Sequence, residues 1–83
     1  MQVFETTVSF TKPTILTSTV NEIYQDFSYH FQKPLTVANY CGTLMKITGM
    51  LSFGGIIEML NILELHGLTT KDVSLHINEP RYY

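Results

Sequence analysis

Hydrophobic and polar residues alternate with period two from Val3 to Phe10, where Phe4, Thr6, Val8 and Phe10 share one parity and Val3, Glu5, Thr7 and Ser9 the other. This alternation, rich in β-branched and aromatic residues, predicts a half-buried strand, which Lys12-Pro13 stops. The period then changes. Val20, Ile23, Tyr24, Phe27 and Phe31 recur at helical spacing, with Asn21, Glu22, Gln25, Asp26 and Ser28 on the opposite face. Thr19-Val20-Asn21-Glu22 fits a capping box at the start of that helix. Lys33-Pro34 ends it, because the residue before proline is pushed out of the α region.

From Leu35 the period returns to two, with Leu35, Val37 and Asn39 alternating with Thr36, Ala38 and Tyr40. Cys41-Gly42 offers a turn, and Leu44 to Phe53 gives the partner strand, with Met45, Ile47, Leu51 and Phe53 on one parity. Gly49 interrupts that face and predicts a bulge or kink. Gly54-Gly55 separates this strand from a second helix, Ile56 to His66, whose apolar stripe is Ile56, Met59, Leu60 and Leu63. Gly67 is placed as its left-handed cap, with Leu68 packing back on the last turn. Val73, Leu75 and Ile77 then alternate with Ser74, His76 and Asn78 in a last strand that Pro80 closes.

The order β-α-β-β-α-β predicts one α+β domain over residues 1–83, a two-layer open-faced sandwich with a four-stranded, mainly antiparallel sheet. The apolar parities of all four strands can face the helices together. The other sheet face then carries Glu5, Thr7, Thr36, Tyr40, Lys46, Thr48, Ser74 and His76, uncovered by anything in the sequence. Of these, Tyr40, Lys46, Thr48 and His76 are the candidate interaction residues.

Charge changes the picture. Lys and Arg number 5 and Asp and Glu 7, only 14% of the 83 residues, with a formal net charge of −2. An ordinary soluble domain has about 25%. The basic residues Lys12, Lys33, Lys46, Lys71 and Arg81 stand singly, without the stripe that nucleic-acid binding requires. No run approaches the about 18 apolar residues of a membrane span, and the start MQVFETTVSF lacks the pattern of a signal peptide. The expectation is a cytoplasmic protein that binds neither nucleic acid nor membrane. So few charges defend a surface poorly against self-association, so a homo-oligomer, specifically a dimer, is expected, with a protein partner as the other kind of associate.

No phosphate-binding loop, dinucleotide fingerprint, HExxH or CxxC occurs, and no cofactor is expected. Cys41, the single cysteine, has no histidine beside it in sequence and reads as a turn residue. His30, His66 and His76 are too far apart for a recognisable zinc pattern, so no metal is expected. His30 lies on the edge of the first helix, and His66 in the last turn of the second, where an imidazolium would complement the dipole. Thr17, Ser18 and Thr19 place hydroxyls and free amides at a helix start and form the candidate anion-binding group; plain capping is the competing reading.

The stretch Leu63 to Ile77, LELHGLTTKDVSLHI, resembles the end of the second helix, turn and last central strand of the histidine-containing phosphocarrier (HPr) family. Lys12-Pro13 followed by Leu16 and a helix is similar to that family's entry to its first helix. The resemblance implies the same element order. It places Thr17 at the phosphoacceptor histidine, Thr19 at the arginine and Val20 at the proline, which implies no phosphoryl relay. The reading is therefore a non-catalytic, HPr-like protein acting by interaction or regulation. The alternative is a ferredoxin-like small-ligand-sensing or dimerisation module, with the same element order and a different strand order. An enzyme using His76 or Cys41 is the third reading and the least supported.

Overall fold

In a computed structural model the described residues are 2–11, 15–33, 35–40 and 43–82, with only the backbone described at 40, 43–45 and 79–82. The elements are β1 (Gln2–Phe10), α1 (Thr17–Phe31), β2 (Thr36–Tyr40), β3 (Thr43–Leu51), α2 (Phe53–Leu65) and β4 (Val73–Tyr82). They form the expected α+β sandwich, a four-stranded antiparallel sheet with both helices on one face. The strand order is β2-β3-β1-β4. β3 therefore lies between β1 and β2, and β1 between β3 and β4, so two split βαβ units interleave. This is the ferredoxin-like arrangement.

Burial follows the period-two reading. Thr6, Val8 and Phe10 of β1 are buried, and Val8 is fully enclosed. Register places Val8 opposite Ile47 on one side and Leu75 on the other. Val20, Ile23 and Phe27 of α1 and Ile56, Met59 and Leu63 of α2 close over them. Each such side chain contributes about 1.5–3 kcal/mol by leaving water. Val3 departs from the pattern: its parity is that of the open face, yet it is 6% exposed.

Three boundaries differ from the sequence reading. α1 begins at Thr17, with Leu16 as an extended N-cap that makes no side-chain cap bond. Thr19 is thus inside the first turn instead of flanking it, and no capping box forms there. At the other end Gln32 adopts a left-handed backbone (φ 49°) and its amide donates to Ser28 O at 3.1 Å.

β3 ends at Leu51, and Phe53, Gly54 and Gly55 lie in the first turn of α2. Ser52 decides this: its Oγ accepts the Gly55 N–H at 3.1 Å, an N-cap. Phe53 has strand parity in the sequence but is 70% exposed on the helix.

β4 continues past Pro80, which pairs with Phe4 after a register shift. Proline is tolerated there because β4 is an edge strand with one unpaired side.

Gly49 causes no register shift in the β1–β3 pairing. It serves a close approach: a Cβ there would stand 2.8 Å from Leu35 Cδ2. Gly67 is left-handed (φ 78°), and the Gly67 and Leu68 amides donate to Glu64 O and Leu63 O at 2.9 and 3.0 Å, closing α2 as expected. The expected turns at Lys12-Pro13 and Cys41-Gly42 lie outside the described residues.

Candidate functional site: the open sheet face

Register turns the open face into rows of side chains. Thr36 pairs with Thr48, Thr48 with Thr7, and Thr7 with His76, so one row crosses all four strands. The next row is Ala38, Lys46, Ser9 and Ser74. On the other side of the threonine row, Met50 lies opposite Glu5. Lys46, Thr48 and His76 are therefore brought together on one face, as the alternation implies. Tyr40 pairs through its backbone with Thr43, beyond a register shift between Ala38 and Asn39; its side chain lies outside the described ones.

The centre of this face is a hydroxyl pair, Thr7 Oγ1 and Thr48 Oγ1, 2.8 Å apart. Toward the β4 edge a chain of polar groups runs His76–Asn78–Glu5. His76 Nε2 donates to Asn78 Oδ1 at 2.8 Å, and Asn78 Nδ2 donates to Glu5 Oε1 at 2.5 Å. Asn78 thereby fixes the Glu5 carboxylate from 73 positions away in sequence. Sequence reading put Glu5 and His76 on this face but missed Asn78, whose role depends on register.

Lys46 is exposed and makes no hydrogen bond or ion pair among the described residues. Glu5 and Lys46 are the charged side chains of this face among those described, leaving His76 aside. The rest is small, hydroxylated or weakly apolar.

The candidate anion group is less well supported. Thr17 and Ser18 are exposed in the first turn of α1, and Thr19 is half-buried. Of the three, Thr19 alone lines the adjacent 230 Å³ cleft, beside Ile15, Leu16, His66, Gly67, Leu68 and Asp72. The Asp72 carboxylate there opposes an anion, and it already accepts the Thr69 N–H at 2.9 Å. His66 is committed to Asp26 Oδ2 at 2.6 Å, and His30 to Glu58 Oε2 at 2.6 Å. Both histidines thus tie α1 to α2. Among the described residues no three His, Cys, Asp or Glu side chains are placed to share a metal ion, and no helix is long and apolar enough to cross a membrane.

Comparison with protein-family models, with curated proteins and with solved structures finds no match to this chain.

Proposed function

We propose that this domain is a non-catalytic association module that pairs with a second copy through its open sheet face. The observation that carries the reading is the one-sided covering of the sheet. Two helices bury one face, while the other presents Ser9, Thr36, Ser74 and Met50 around the Thr7–Thr48 pair, with Glu5 and Lys46 its charged side chains among those described, His76 aside. Flat faces of small β-branched side chains suit sheet-on-sheet packing, where sheets stack about 10 Å apart. The size also suits. A stable interface takes about 800 Å² from each partner, roughly one-seventh of the 5501 Å² surface, and the body measures 37 × 24 × 22 Å.

The interleaved strand order favours the ferredoxin-like dimerisation module over the HPr-like reading. Absence of phosphoryl relay belongs to the same proposal, since Thr17 offers an exposed hydroxyl where the phosphocarrier resemblance calls for an imidazole. Sedimentation equilibrium from micromolar to millimolar protein tests the association. A mass rising from 9.5 kDa to twice that value is expected. A monomer up to about millimolar, equivalent to a binding free energy weaker than about −4 kcal/mol, overturns it.

A further inference from the structure

Glu5 and Lys46 lie diagonally across the two central strands about one central point. From the Thr7–Thr48 pair, Glu5 is two residues along β1 in one direction and Lys46 two residues along β3 in the other. A two-fold axis lying in the interface, through that pair and perpendicular to the Glu5–Lys46 line, exchanges the two positions between copies. We infer that the second copy docks about this axis, setting Lys46 of each chain against Glu5 of its partner and stacking the two Thr7–Thr48 pairs at the centre. The inference rests on the proposed pairing of open faces and specifies its geometry.

Two features support the arrangement, and strand geometry sets its crossing angle. Lys46 is exposed and has no partner among the described residues, whereas Glu5 is held in place by Asn78. One group is thus a cation without a partner among the described residues and the other a pre-positioned anion. Strands stand about 4.8 Å apart and rise about 3.4 Å per residue, which tilts the Glu5–Lys46 line about 20° from the strands. The two-fold then crosses the strands of the two sheets at about 40°. Finally, an isologous contact uses each pair twice, so one lysine and one glutamate per chain yield two charge contacts. A lysine and a glutamate extended toward each other also span the about 10 Å between stacked sheets.

The test is charge reversal. Lys46→Glu alone and Glu5→Lys alone each set like charges together at both contacts, and each should weaken self-association at least about tenfold. Mixing the two variants restores opposite charges at both contacts, so a heterodimer should form with affinity near that of the wild type. Circular dichroism confirms that each variant is folded. Should Glu5→Lys fail to fold, Lys46→Glu combined with Glu5→Gln removes the repulsion and should regain association over Lys46→Glu alone.

Reversals that leave a wild-type dimer intact overturn this geometry while sparing the open-face reading. So do single variants that dissociate and are rescued neither by mixing nor by Glu5→Gln. A wild-type protein that is monomeric overturns both.

Discussion

Ser52→Ala removes the acceptor that holds the Gly55 amide at 3.1 Å, and loss of such a cap costs about 1 kcal/mol. Thr19→Ala, which the capping-box pattern marks as equally damaging, should stay within about 0.5 kcal/mol, because Thr19 lies inside the α1 turn and makes no cap bond. Urea unfolding midpoints of the two variants separate these outcomes; equal losses would mean that α1 starts later than Thr17. Gly67→Ala should cost about 1–2 kcal/mol, since φ is 78° and a Cβ there is strained in the left-handed region even with open space around it. Thermal melts that superimpose on the wild type would show that this turn relaxes to another conformation.

Gly49 acts at the scale of a strand and its neighbour. Gly49→Ala should destabilise by about 1 kcal/mol, because the added methyl meets Leu35 Cδ2 at 2.8 Å and forces that side chain aside. In a Leu35→Ala background the same change should cost less, and additive losses in the double-mutant cycle would contradict the close approach. The apolar stripes of α1, α2 and the strands were legible in the sequence because burial on one side imposes a period on any element. Its ends were not. Leu16 caps α1 with no side-chain signal, and Phe53 keeps strand parity by coincidence one residue beyond the Ser52 cap. Pro80 reads as a stop, yet the strand runs through it because long-range pairing puts β4 at the edge. Parity likewise found Lys46, Thr48 and His76 on one face. The opposed placement of Glu5 and Lys46, and the bond from Asn78, follow from β1–β3 and β1–β4 register, which no local pattern encodes.

At the scale of the molecule, the low charge leaves two surfaces without strong electrostatic protection. The outer side of α2 exposes Phe53, Ile57 and Leu65, but the exposed Glu64 accompanies them on that helix, so two copies meeting there about a two-fold would bring like charges together. The open face has the opposite property, because Glu5 and Lys46, its charged side chains among those described, complement each other across a two-fold. Association through it should therefore weaken as salt rises, with screening acting over about 10 Å at 0.1 M; a dimer constant indifferent to salt from 0.05 to about 0.5 M would remove the charge contribution. The most direct check on the open face as the site of association is an NMR dilution series that follows backbone amides as dimer converts to monomer. The account predicts shifts clustered at Glu5, Thr7, Lys46, Thr48 and His76, with Tyr29, Phe53 and Leu65 unmoved. Shifts confined to the helical side, with the sheet residues constant, would contradict it.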